Sequence, residues 1–315
     1  MHTLEPELRA LHADGTIDDA TVSRALARDS GAVFSLNPEL RATLYAGVLL
    51  VMSGVGIILA RNLERIGPLA IVLAIALAAV ACGIPAMRAT LAGRPLTVAA
   101  DYLLLLAALL VSADLAYAER QFMLLGPLWS WHLLLLAIFH AAIAFAFASP
   151  LVLAASLAAL AGWFGVGGTL GDALLFSNST PALGSRALAC AAVITAWRYA
   201  DRRARPDTRF SEVFDHFAAN LAFWGAIAWC VEWPWLAIGL PLLAALAFAS
   251  VRRGLDTGRE AFLVYGIVYA AIGTCAAVVP HLHGVTTKFG FLLVVVCAAA
   301  ATLWQLRRRI REPGP

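Results

Sequence analysis

The sequence predicts an all-α protein: a polytopic integral membrane bundle of about ten transmembrane helices behind a short N-terminal cytoplasmic helical hairpin. Three observations predict it. Of 315 residues, 61% are hydrophobic and only 14% charged, with a mean hydropathy of +0.81; soluble domains are about 45–50% apolar and about 25% charged. Uncharged runs recur at about the 20-residue length that crosses a hydrocarbon core of roughly 30 Å. Arginines fall in short clusters between those runs, where they set topology.

Residues 1–40 read as the hairpin. Leu4, Leu8 and Leu11 share a helical face, Gly15 breaks the chain, and Asp18 is placed to cap a second helix carrying Val22 and Leu26. Asn37-Pro38 reads as a turn. Residues 41–306 form the bundle, with spans at 42–60, 66–87, 98–118, 126–147, 150–168, 184–200, 213–232, 234–251, 260–280 and 286–305; residues 307–315 are a basic cytoplasmic tail. The turn at Ser149-Pro150 is tight, and Trp233-Pro234-Trp235 separates the seventh span from the eighth. Trp129, Trp131, Trp233, Trp235 and Trp304 sit at predicted interfaces, where indole rings anchor.

Loop charge tests this frame. With both termini inside, the cytoplasmic segments hold 18 of the Lys and Arg residues and the opposite side only 5, Arg61, Arg65, Arg120, Arg186 and Lys288. A missed or merged span would scramble that split, so it supports an even number of spans. The expected location is the bacterial inner membrane, both termini cytoplasmic. A bacterial source is expected because arginine outnumbers lysine 22 to 1 in an Ala- and Leu-rich chain. The first forty residues have no apolar leader core, so the first span is expected to direct insertion.

The net charge of +3 is distributed as topology determinants and attraction to anionic lipid, including the dense Arg198–Arg209 cluster, so no nucleic-acid partner is expected. Cys82, Cys190, Cys230, Cys275 and Cys297 lie far apart in apolar runs and read as packing residues. Gly47, Gly54 and Gly56 suggest close helix packing.

The order of features, Asp14-Gly15-Thr16-Ile17, then Gly47 to Gly56, then Ala60-Arg61-Asn62-Leu63-Glu64-Arg65-Ile66, resembles the bacterial membrane family catalogued as domain of unknown function 2157. The resemblance covers roughly the first half, including Trp129-Ser130-Trp131. It implies a membrane fold and no established activity or catalytic residue.

Ionisable residues inside a membrane are costly and are functional candidates by default. Asp101 lies about one turn into the third span and Asp114 about one turn from its far end, about 20 Å apart, too far to act as one carboxylate pair. His132 and His140 are two turns apart on one face of the fourth span, fit for a proton relay or for interhelical hydrogen bonds. Glu232 stands beside Trp233-Pro234 at the outer end of the seventh span, as a gate or as an interfacial carboxylate. These five, Asp101, Asp114, His132, His140 and Glu232, form the candidate polar pathway. His140, His216, His281 and His283 lie at unequal depths, so no haem is expected; His281-x-His283 is an incomplete metal site, and no cofactor is expected. Gly165-Val166-Gly167-Gly168-Thr169-Leu170-Gly171-Asp172 follows an apolar span and lacks Lys-Ser/Thr, so it is no phosphate loop; it reads as flexible backbone or a broken helix. No Ser-His-Asp, HExxH or paired-cysteine pattern marks an enzyme.

Two functions are expected. One is a scaffold or regulatory component, whose hairpin contacts membrane or cytoplasmic protein partners. The other is a secondary transporter, or a lipid- or small-molecule-handling protein, with its polar pathway near the third, fourth and seventh spans. Ten spans divided five and five would place the halves in inverted orientation.

Overall fold

The computed structural model describes residues 37–62, 67–123, 126, 131–166, 181–204, 210–231 and 234–311, with positions 12, 14, 15, 18, 19, 21 and 22 of the head. Among these it contains ten α-helices and no strand: α1 (Asn37–Asn62), α2 (Pro68–Leu91), α3 (Val98–Phe122), α4 (Trp131–Phe147), α5 (Pro150–Trp163), α6 (Pro181–Ala204), α7 (Ser211–Val231), α8 (Leu236–Thr257), α9 (Glu260–Val278) and α10 (Val285–Arg311). Six of them, α1, α2, α3, α8, α9 and α10, carry stretches long and apolar enough to cross a membrane.

Local chemistry sets most boundaries. Thr97 caps α3 by accepting from the Ala100 N–H at 3.2 Å, and Ser149 caps α5 by accepting from Val152 at 3.2 Å, with Pro150 in its first turn. Ala148 takes the left-handed conformation, φ 51°, that makes the α4–α5 turn tight. In the head, Gly15 has φ 71° and the Asp18 carboxylate accepts from the Thr21 N–H at 3.0 Å. Leu4, Leu8, Leu11 and Leu26 lie outside the described residues.

Three expectations are corrected. Asn37-Pro38 opens α1 instead of turning, because proline fits the first helical turn, where its missing N–H has no intrahelical partner to lose. The fifth span stops at Trp163, not 168: Gly165 turns left-handed, φ 77°, and its N–H donates to the Gly162 carbonyl at 2.8 Å. Gly47, Gly54 and Gly56 do not mark close packing, since a Cβ on any of them would meet nothing within 4 Å. The close approaches lie elsewhere. A Cβ on Gly225 of α7 would stand 2.9 Å from the Gly184 carbonyl of α6, and one on Gly266 of α9 would stand 2.8 Å from the Ala247 carbonyl of α8.

Helices pack first as antiparallel neighbours: α2 with α3, α4 with α5, α6 with α7, α8 with α9. Beyond these pairs the odd-numbered helices meet in succession, α1 with α3, α3 with α5, α5 with α7 and α7 with α9, and α8 also packs on α7. Contacts thus gather α2–α5 and α6–α9 into two successive groups. One core, including Leu153, Leu157, Ile194 and Phe214, joins them across α5, α6 and α7. The outermost helices, α1 and α10, leave Leu50, Ile57, Phe289, Val294 and Val296 exposed, as lipid-facing surfaces do.

Cys190 and Cys230 are buried packing residues, whereas Cys297 is exposed and Cys82 and Cys275 are half-buried; all five are free thiols. Trp131 and Trp304 are exposed, and Trp235 packs on Trp229 with ring centroids 5.4 Å apart. Trp129 and Trp233 lie outside the described residues.

Candidate functional site at the arginine-rich end

Ion pairs and ring contacts gather the loop charges at one end of the bundle. Arg259 at the start of α9 meets Glu212 of α7 at 3.0 Å, and Arg307 of α10 meets Glu260 of α9 at 3.1 Å. Phe145 near the end of α4 packs edge-on against Phe210, 5.1 Å away, just before α7. The starts of α7 and α9 and the ends of α4 and α10 therefore share this end. Two recesses open there.

The first recess, 730 Å³, is walled by the α2–α3 loop, the start of α3, the α4–α5 turn and Arg41 of α1. Asp101 lines it and accepts a hydrogen bond from the Ser149 hydroxyl. That hydroxyl also caps α5, so one serine fixes both the helix start and the carboxylate. Arg94 and Arg41 line the same space and supply positive charge opposite Asp101.

The second recess, 360 Å³, lies among α6, α7, α8 and α9. Asp215, whose side chain is 4% exposed, sits between two guanidinium groups: Arg198 Nε is 2.6 Å from one carboxylate oxygen, and Arg253 pairs with the other. Arg253 also lies 4.7 Å over the Phe262 ring, and that ring stacks on His216 at 5.5 Å. Below the triad, two residues one turn apart on α7 meet two on α9. His216 Nδ1 is 3.1 Å from the Tyr265 hydroxyl, and Asn220 accepts from the Tyr269 hydroxyl. Because α7 and α9 run the same way, one four-residue step on each keeps both pairs in register.

Each recess presents a carboxylate near the start of a helix, Asp101 of α3 and Asp215 of α7. Sequence reasoning found Asp101 and missed Asp215, Arg198 and Arg253, because it assigned both arginines to topology. The available signal was Asp215-His216 with Asn220 inside the seventh apolar run, the same kind of intramembrane polarity that drew attention to Asp101.

The remaining sequence candidates are dispersed. His140 is buried, with Nε2 3.1 Å from the Ala108 carbonyl and 3.2 Å from the Ser112 hydroxyl, so it ties α4 to α3. Asp114, half-buried farther along α3, has one carboxylate oxygen without a hydrogen-bond partner among the described residues. His132 is half-buried at the opposite end of α4 from the recesses. Glu232 lies outside the described residues. No group of three or more His, Cys, Asp or Glu side chains able to hold a metal occurs among the described residues.

Ten helices, six of them apolar enough to span, together with lipid-type outer surfaces, define a helical membrane protein with polar recesses at one end. Residues 9–153 match the family described as "Predicted membrane protein (DUF2157)", the family that the first half resembles by its motifs. No curated protein and no solved structure matches the chain.

Proposed function

We propose that this is a multi-pass protein of the bacterial inner membrane that handles a small molecule or lipid at its cytoplasmic, arginine-rich end. The observation that carries this reading is the pair of recesses at one end of the bundle, each lined by a buried or half-buried carboxylate and by arginine. A buried charge is costly unless paired, and two such sites at one end are hard to explain by packing alone. The polar pathway foreseen along α3 then begins at Asp101, with Asp114 farther along the same helix. Both recesses open at the same end, which supports two binding places on one face. The scaffold reading draws on residues 1–36, most of which lie outside the described residues, and it stands second.

The test is native mass spectrometry of the tagged protein extracted gently from its own membrane, comparing wild type with Asp101→Asn and Arg94→Gln. A defined small molecule or lipid retained by wild type and lost from either variant supports the reading. A stoichiometric protein partner, with no bound small molecule, overturns it in favour of the scaffold.

A further inference from the structure

We propose that the second recess holds one anionic lipid, with its phosphate on Arg198 and Arg253 and the start of an acyl chain along the wall below. This deepens the function proposed above and rests on that reading of the second recess.

Charge is the first argument. The lining groups include two guanidinium ions and one carboxylate, so the Arg198–Asp215–Arg253 triad carries a net positive charge into the cavity. Asp215 is 4% exposed, while Arg198 and Arg253 are 24% and 39% exposed. The carboxylate therefore takes the inner position, and the two more exposed guanidinium groups lie nearer the opening. A guanidinium presents five N–H donors, more than one carboxylate occupies, and its planar fork matches phosphate oxygens. Glu212 and Arg259, nearby on α7 and α9, pair with each other, and Asp201, buried one turn from Arg198 on α6, adds a further carboxylate at this end but does not line the cavity.

Preorganisation is the second. Arg253 is held by Asp215 on one side and by the Phe262 face on the other, and Phe262 is held by His216. Two arginines from different helices are thus already converged before any ligand arrives, which lowers the entropy cost of binding.

The shape of the cavity is the third. Below the triad the lining turns apolar: Ala191 lies seven residues from Arg198 on α6, and Ala222 seven from Asp215 on α7, so the wall runs about 10 Å inward. A soluble anion has no use for that wall. A lipid does, because its phosphate and its chain meet the protein at the same boundary between charged and apolar lining. At 360 Å³ the space is large enough for one chain segment. Arg198 and Arg253 stand six and four residues from the ends of α6 and α8, about 9 and 6 Å along the axis, near the charged end of the bundle.

The test uses the full chain in detergent, titrated with phosphatidylglycerol, phosphatidylcholine or inorganic phosphate and read by native mass spectrometry. Wild type is expected to retain one phosphatidylglycerol in preference to phosphatidylcholine. Arg253→Gln should weaken retention roughly fivefold, as expected for one interfacial arginine. Ala192→Leu and Ala249→Leu fill the wall from two exposed positions that leave the fold intact; they should weaken lipid retention and spare the triad. Equal retention of both lipids, or loss of phosphatidylglycerol to inorganic phosphate with no effect of the leucine variants, overturns the proposal. The first points to non-specific annular lipid and the second to a soluble anion. Asp101→Asn, in the other recess, should leave this binding unchanged, so the two sites fail separately.

Discussion

Replacing Asp215 with Asn tests the triad directly. The substitution keeps the side-chain shape and removes one negative charge that is 4% exposed and paired with two arginines. Breaking a buried ion pair by removing one partner costs about 3–5 kcal/mol, because a charge is left uncompensated. Here the arginines left behind are 24% and 39% exposed and partly rehydrate, which lowers the expected cost to about 2–3 kcal/mol. At about 2 °C per kcal/mol for a chain of this size, the midpoint should fall by about 4–6 °C. Tryptophan fluorescence in lipid nanodiscs is a suitable assay, since Trp197 packs edge-on against Phe214, the neighbour of Asp215, at 5.3 Å. The decisive comparison is Asp215→Asn with Arg198→Gln added. Removing one of the two facing cations should recover part of the loss, giving a coupling of about 1–2 kcal/mol. If the double variant loses the sum of the two single losses, the three groups do not act as a unit and the triad has no claim as a site.

Other outcomes follow from the same geometry. Gly225→Ala places a methyl 2.7 Å from Leu188 Cγ and 2.9 Å from the Gly184 carbonyl, so α6 and α7 must part; a cost of about 1–3 kcal/mol is expected, whereas Gly54→Ala should cost nothing in the same melt. His140→Leu should lower stability by about 1 kcal/mol and leave expression intact, since Ser112 retains its own bond to the Ala108 carbonyl at 3.1 Å; loss of a retained small molecule would instead assign His140 a functional role. Ser149→Ala removes both the α5 cap and the Asp101 partner, and should cost about 1–2 kcal/mol against about 1 for Thr97→Ala, which removes a cap alone. Equal losses in the two variants would show that the Ser149–Asp101 bond contributes nothing.

The sequence by itself determined that the described residues are all helical and close to where their helices lie, because each depends on a local property. An apolar run, a capping serine at 149, a threonine at 97 and a glycine at 165 act on their own few residues. It determined Asp101 as a candidate for the same reason, since a carboxylate in an apolar run is visible without neighbours. It misjudged Gly47, Gly54 and Gly56, because a glycine's packing role depends on what faces it; in α1 nothing among the described residues does, whereas Gly225 meets Gly184. Only the tertiary structure decided that Arg198 and Arg253, 55 residues apart and both legible as loop charges, converge on Asp215. It alone also showed that Asp101 and Asp215 line recesses at the same end of the bundle. Convergence of this kind depends on helix azimuth and partner choice, which arise from packing between distant segments. A hydrophobicity pattern records that a helix is embedded, but in a membrane both its protein-facing and its lipid-facing sides are apolar, so the pattern cannot encode which face meets which neighbour.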